Sequence, residues 1–337
     1  MKMNKWIIVC CAAIMIVSAC SKKDGDERKE QPKVEKQKAA EQFPLTGMEA
    51  KKDSSQRAIA ITVNNHPKAR PQSGLAEADI VYEVLTEGAV TRFLAIYQSE
   101  KPETVGPVRS ARKYFIDLAK GYDSLYISHG YSPEAKRMLE NGVIDNINGM
   151  RHDGTLFKRV GFRKAPHNSY ITFDKIEKQA ADSDFEMDKP PKPLAFLKKE
   201  EVESLDGESV SDMTISYSKD AVFASAFSYD ANKEKYTRST GGEEMVEYET
   251  NEPVLFDNVI VVEAAHHVAD EQGRKEIALE SGGEAYVLQH GIKKEAEWRN
   301  EDGRIVPYED GRPVKLVPGK TWISIVPEMA IVSFGEK

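Results

Sequence analysis

Residues 105–112 read V-G-P-V-R-S-A-R, and the way this stretch is taken decides how the rest of the chain is arranged. An apolar strand leads into it, and Gly106 and Pro107 break that strand. Ser110 has the side chain of a helix N-cap, and residues 111–119, A-R-K-Y-F-I-D-L-A, have helical composition with one apolar face. The stretch therefore predicts a strand-to-helix junction. Arg109 and Arg112 are three apart, so in or beside a first helical turn they project from neighbouring positions. A helix N-terminus attracts anions through unpaired N–H groups and the helix dipole, and cationic side chains there cost stability. Two arginines in such a place point to an anion site. The plainer reading is a pair of solvated arginines matched by nearby acids such as Glu77, Glu83, Glu87 or Asp117.

Outward from the junction, residues 58–63 (A-I-A-I-T-V) are β-branched and strand-like, and a long polar loop, residues 64–74, follows. Residues 78–85 and 91–98 read as a strand pair joined across 86–90. Residues 124–128 form another short strand, and the next helix is announced by Ser132, Pro133, Glu134 and, past its end, Gly142. Strands alternating with helices predict a mixed α/β layer. The proline-punctuated polar run at residues 188–193 is the best internal boundary. Beyond it residues 214–218, 221–229, 254–263, 285–290 and 321–326 read as strands, and Asp302-Gly303 and Asp310-Gly311 are hairpin signals. The fold expected is α+β, with a mixed α/β N-terminal domain (43–188) packed against a mainly-β C-terminal domain (194–337).

The polar residues that could cooperate all lie in loops after strands. They are Asn64, Asn65, His66 and Arg70, then Arg92, then Arg109, Ser110 and Arg112, then His129, and finally Arg163, His167 and Asn168. Ligands of open α/β sheets collect beyond strand ends, and arginine suits carboxylate or phosphate because its planar fork binds two oxygens at once. Such a set suits an anionic, oxygen-rich ligand. Taken singly, each of these residues reads equally as structural.

Other chemistries have less behind them. Adjacent His266 and His267 point to opposite faces of a strand, and no H-E-x-x-H, C-x-x-C or acidic calcium loop occurs, so neither a metal nor a cofactor is expected. No G-x-S-x-G elbow marks a nucleophile, although His129 or His167 could serve Ser110 in space. The net charge of −8 argues against nucleic acid as a partner, since a phosphate backbone selects a basic face.

The first nineteen residues read as a lipoprotein signal peptide. Lys2 and Lys5 precede an apolar run over residues 6–17, which is shorter than the roughly 20 residues that span a bilayer. Ser18 and Ala19 directly before Cys20 resemble a bacterial lipobox, which makes Cys20 the lipidated residue; the alternative is an ordinary signal peptide cut elsewhere. Cys10 and Cys11 fall inside the signal, so the mature chain has one cysteine and no intramolecular disulfide. Residues 20–42, rich in Lys, Glu, Asp and Gln, read as a charged flexible tether.

The motifs N-N-H-P-K-A-R-P-Q-S-G-L-A-E-A-D-I-V-Y-E, T-R-F-L-A-I-Y, V-G-P-V-R-S-A-R and A-P-H-N together resemble the YerB-type lipoproteins of Gram-positive bacteria. Residues 257–261 and 318–322 look like that family's second domain. The resemblance implies a two-domain protein anchored outside the cytoplasmic membrane, with no established catalytic residues to carry over. It contains Asn65, His66, Arg70, Arg92, Arg109, Arg112, His167 and Asn168. The function expected is a lipid-anchored envelope protein that binds an anionic wall component or a wall-associated protein. Two alternatives remain: a wall-modifying hydrolase or transferase built on a His/Arg site, and a two-domain scaffold without a ligand pocket.

Overall fold

Ile59–Asn64 (β1), Ile80–Leu85 (β2) and Thr91–Tyr97 (β3) bury every residue they contain. Strands that lack polar alternation are strands covered on both faces. The structure, a computed structural model, describes residues 41–335. The expected signal peptide, Cys20 and the tether up to residue 40 lie outside the described residues. The N-terminal half continues with Thr104–Val105 (β4), Lys113–Gly121 (α1), Leu125–Ser128 (β5), Pro133–Glu140 (α2), Asn146–Asn148 (β6), Gly149–His152 (α3), Lys158–Arg159 (β7), Ser169–Thr172 (β8) and Phe173–Asp182 (α4).

After the proline-rich run the chain is nearly all strand. It forms Lys199–Glu203 (α5), Glu208–Ser209 (β9), Asp212–Ser216 (β10), Ala224–Asp230 (β11), Lys235–Thr240 (β12), Glu243–Glu244 (β13) and Asn258–Glu263 (β14). His266–Val268 (β15), Lys275–Ile277 (β16), Gly283–Gln289 (β17), Ile292–Glu301 (β18), Arg304–Glu309 (β19), Arg312–Pro313 (β20), Thr321–Val326 (β21) and Val332–Phe334 (β22) follow. The mixed N-terminal and mainly-β C-terminal character read from the sequence is what the chain adopts.

The two halves share one sheet. Twelve strands run β20-β19-β18-β17-β14-β21-β2-β3-β1-β5-β6, with β9 paired to β18. The join is the parallel pair β2–β21, with Ile80 opposite Thr321 and Val84 opposite Ile325. One face carries α1 and α2, whose Phe115, Ile116, Leu118, Ala135 and Leu139 share a core with Ala60, Tyr82, Leu94 and Ile323. The other face carries α4 and a second sheet, β13-β12-β11-β10-β22. There Phe173, Ile176, Met213, Ile215 and Phe227 pack with Ile61, Val81, Phe93 and Trp322.

An ion pair crosses this second interface. Arg238 on β12 meets Glu83 on β2 at 2.9 Å, with side chains 2% and 1% exposed. A buried carboxylate is tolerable only when its remaining lone pairs are also satisfied. Ser225, Thr91 and Asn65 all donate to Glu83. The guanidinium of Arg238 lies 4.8 Å from the Trp322 ring and 5.3 Å from Phe93, so the cation is held between aromatic faces.

Local departures from the sequence reading have identifiable causes. Residues 221–223 form a 3-10 turn and not the start of β11, because the Asp220 carboxylate accepts from Val222 N at 3.1 Å. The strand expected from residue 254 begins at Asn258. Both Asp-Gly pairs make the hairpins they signal, with Asp302, Gly303, Asp310 and Gly311 all at positive φ.

Candidate functional site

Residues 106–111 are not the helix entry that the sequence suggests. Asn64 N donates to Pro107 O at 2.9 Å, Val108 N to Ser169 O at 2.7 Å and Arg109 N to Thr62 O at 2.8 Å. Ala111 N donates to Gly130 O at 3.0 Å and His129 N to Arg109 O at 2.9 Å. The segment is thus laid across the ends of β1, β5 and β8 as extended chain. Ser110 does not cap the helix: its hydroxyl donates to His129 O at 3.2 Å. The N-cap is Arg112, which makes no side-chain cap bond, and α1 starts at Lys113. The Gly106–Pro107, Arg70–Pro71 and Ala165–Pro166 peptide bonds, all in loops of the candidate set, are cis.

The arginines divide by what they touch. Arg112 is buried and donates through Nε to Glu87 Oε1 at 3.1 Å and through Nη1 to Ala111 O at 2.8 Å. Arg92, also buried, pairs with the other oxygen of Glu87 at 2.9 Å and donates to Ser110 O at 3.1 Å. Burial, and next Arg112, bring the Arg92 guanidinium down to about 9, against the opposing pull of Glu87. Arg70 donates to Asn65 Oδ1 at 3.0 Å, Asn65 O at 2.9 Å and Val222 O at 2.9 Å, so it ties its loop to the second sheet. Asn65 in turn serves Thr91 and Glu83. These four side chains hold the fold.

Arg109 is different. Among the described residues its side chain makes a single, long hydrogen bond, from Nη1 to Pro166 O at 3.4 Å, and its Nε is buried without a partner. Among the described residues no carboxylate pairs with it. Burial, then Arg112, lower its pKa. Around it stand His66 and His167, whose rings lie 4.5 Å apart. The His66 Nδ1 accepts from Lys68 N at 3.1 Å, which caps the short turn Pro67–Ala69. Asn64 Nδ2 donates to His167 Nδ1 at 2.8 Å. That bond fixes the neutral tautomer of His167 with its proton on Nε2. Burial, then His66, Arg109, Lys68 and Arg163, push His167 down to about 4. His66 is lowered by burial, then by Lys68, Arg70 and Arg109.

Arg163 closes one side of this cluster. It donates to Pro71 O and, at 3.4 Å, to Lys68 O, and its buried Nε has no partner among the described residues. Its guanidinium lies 5.7 Å from Phe162 and 5.4 Å from Tyr248, two rings stacked at 4.9 Å and 7°. Phe162 and Tyr248 are 56% and 40% exposed, so two stacked rings stand at the surface beside Arg163. The sequence reading passed over both rings. Phe162 stands directly before Arg163, which was the available signal; Tyr248 has no sequence signal, because it arrives from the other half of the chain.

His129, Asn168 and Ser169 form a neighbouring but separate group. His129 Nδ1 lies 2.6 Å from Ser169 Oγ, the spacing of a base and a nucleophile. Arg159, which the sequence reading missed, donates to His129 Nε2 at 2.9 Å, to both Asp153 oxygens and, at 3.2 Å, to Asn168 Oδ1. With Nε2 accepting from a guanidinium, the ring carries its proton on Nδ1 and donates it to Ser169. The serine hydroxyl is therefore not activated, and it is 1% exposed. Burial and then Arg159 lower the His129 pKa, which also keeps the ring neutral.

Comparison with known proteins bears on the chain as a whole. Residues 45–186 and 213–323 match the N- and C-terminal domains of a family described as "Protein of unknown function (DUF3048)". Over 340 aligned residues the chain is 45% identical to the "Putative lipoprotein YerB" of Bacillus subtilis (strain 168), covering 99% of each. Its fold is similar to the crystal structure of the YerB protein from Bacillus subtilis, with a TM-score of 0.82 at 46% identity over 88% of this chain and 99% of that one. The resemblance carried by the loop motifs thus extends over the full length, and the chain belongs to the YerB-type DUF3048 family, a family of unknown function.

Proposed function

We propose that this protein is a lipoprotein held at the outer face of the bacterial cytoplasmic membrane through Cys20, and that its Arg109 face binds an anionic cell-envelope ligand. The description of the Bacillus subtilis relative as a lipoprotein agrees with the V-S-A-C sequence at residues 17–20. The observation that carries the binding reading is Arg109. It is a half-buried guanidinium without a carboxylate partner among the described residues, beside two neutral imidazoles and Arg163. Burying a cation unpaired is costly, and a ligand carboxylate or phosphate supplies the missing partner. His167 Nε2–H, fixed as a donor by Asn64, adds a second oriented group.

The test is the thermal stability of the protein against inorganic phosphate, citrate and a polyglycerol-phosphate polymer, beside an Arg109→Gln variant. A ligand at a hundredfold excess over its Kd adds about 2.7 kcal/mol, which is read as a rise in Tm. The expected outcome is a rise in the parent that disappears in R109Q, with the Tm of the free variant little changed. An equal rise in both proteins, or none with any of the three anions, sinks the reading.

A further inference from the structure

Three stretches of chain meet at the Arg109 face, residues 64–76, 104–116 and 154–173. Ser73 N donates to Gly106 O at 2.9 Å and Val108 N to Ser169 O at 2.7 Å. None of the three contains an acid, and together they hold nine cations, in a protein with 55 acidic and 47 basic residues. Glu87 and Asp153 reach the region from elsewhere, but arginines occupy both: Arg92 and Arg112 hold Glu87, and Arg159 holds Asp153. Lys68, Arg109, Lys158, Arg163 and Lys164 are left without an ion-pair partner among the described residues. We propose that this face binds a linear polyanion of the cell wall, a chain of repeating phosphates or carboxylates, along several of these cations at once. The proposal rests on the Arg109 reading above and names its class of ligand.

The cations are strung along one loop and do not converge on a point. The loop closes where Val160 N donates to Asn168 O at 2.9 Å, and there Arg159 donates to His129 Nε2 at 2.9 Å. Further along, Pro166 O accepts from Arg109, and His167 lies against His66. At the far end Arg163 donates to Lys68 O at 3.4 Å and is held 5.4 Å from the Tyr248 ring. The Arg109 Nη2 has no partner among the described residues and, unlike Nε, is not shut off from solvent; the same holds for Nε2 of His66 and of His167. A single anion can use only one part of such a row. A polymer uses all of it, and each further contact adds affinity by releasing counterions. The place where the described chain begins argues against a bilayer lipid as the ligand. Ala50 N donates to Glu41 O at 2.7 Å and Gln98 Nε2 to Ser54 O at 2.8 Å, which sets residues 41–54 beside the end of β3. In the β1–β3 pair Ile59 lies opposite Tyr97, at that end, and Asn64 opposite Arg92. The six residues of β1, about 20 Å, thus separate the start of the described chain from the Arg109 face. An anchor upstream of Glu41 joins the end away from the face, which favours a ligand that comes from outside over the lipid that holds the chain.

The experiment is titration calorimetry on the full chain in a neutral detergent. The polymers are polyglycerol phosphate and polyglutamate, the single units glycerol 3-phosphate and acetate, and all concentrations are counted per charge. The expected result is that one polymer binds about tenfold or more tighter per charge than its unit, with an affinity that falls steeply as salt rises. Lys158→Gln with Lys164→Gln, at two exposed positions, should weaken that polymer about tenfold and leave the single unit unchanged. Arg109→Gln should weaken both, and phosphatidylglycerol added to the micelles should not compete. Equal affinity per charge, a polymer indifferent to K158Q/K164Q, or displacement of the polymer by phosphatidylglycerol overturns the polymer proposal and leaves Arg109 as an anion site. No binding by any of the four, or R109Q binding polymer and unit like the parent, overturns the Arg109 reading and the polymer proposal with it.

Discussion

At the scale of the residue, Arg109 and Arg112 show what spacing can and cannot say. Three apart, they were expected to serve one site. Arg112 is instead spent on Glu87, and Arg109 is left to face His66 and His167. The partner that separates them lies 25 positions away, in the turn between β2 and β3, and no local pattern marks it. Removing Arg112 leaves half of the Glu87 carboxylate unanswered, so Arg112→Gln should cost about 1–3 kcal/mol by urea denaturation. R109Q, losing one long bond, should cost less than about 1 kcal/mol. Equal costs would mean that Arg109 is structural after all. The histidines give a second check. His167 has its folded pKa depressed to about 4, so its ring should stay neutral down through pH 5 in an NMR titration of its Hε1 proton. A bound anion favours the imidazolium, so saturating phosphate should move that midpoint upward. By linkage, phosphate should then bind more tightly as pH falls through the bound-state midpoint toward 4. A midpoint that does not respond to phosphate would remove His167 from the site.

At the scale of the element, most strands were legible because β-branched runs, Gly and Pro punctuation, and Asp-Gly turns are local signals. The start of α1 was not, because Ser110 had the side chain of a cap but its backbone was already committed to Thr62 and Gly130 through Arg109 and Ala111. Tertiary hydrogen bonds overrode a local preference. The two Asp-Gly hairpins separate local from tertiary demands more sharply. Gly303 and Gly311 both sit at positive φ, so an alanine at either carries a left-handed penalty of about 1–2 kcal/mol. Around Gly311 a new Cβ would meet nothing within 4 Å among the described residues. At Gly303 it would lie 2.9 Å from Asp117 O and 3.0 Å from Gly121 Cα, where the β18–β19 turn rests on the end of α1. Gly303→Ala should therefore cost about 1–3 kcal/mol more than Gly311→Ala, the usual range for overpacking. Urea midpoints with unchanged m-values would read the difference, and equal midpoints would show that the turn and helix can part freely.

At the scale of the molecule, the sequence foretold two regions of different character but not how they are joined. Parallel pairing of β2 with β21 brings Ile80 beside Thr321, and no periodicity in either strand announces a partner so distant. The buried runs said only that both faces of these strands would be covered. This shared sheet makes each half depend on the other. Residues 41–193 alone would expose the β2 edge, leave Glu83 without Arg238 and Ser225, and strip Trp322 and Phe227 from the core around Phe93. Such a fragment should show no sharp unfolding transition and should bind a hydrophobic dye, while the full chain unfolds in one transition seen alike by tryptophan fluorescence and far-UV circular dichroism. A point substitution isolates the ionic part of the same dependence. Arg238→Met in the full chain leaves the Glu83 carboxylate buried and unpaired, at a cost of about 3–5 kcal/mol. Adding Glu83→Gln removes that charge and should recover part of the loss. If the fragment melts cooperatively, or R238M is neutral, the two halves are independent bodies that only touch, and the shared sheet is not what holds the Arg70 and Tyr248 contacts around the Arg109 face in place.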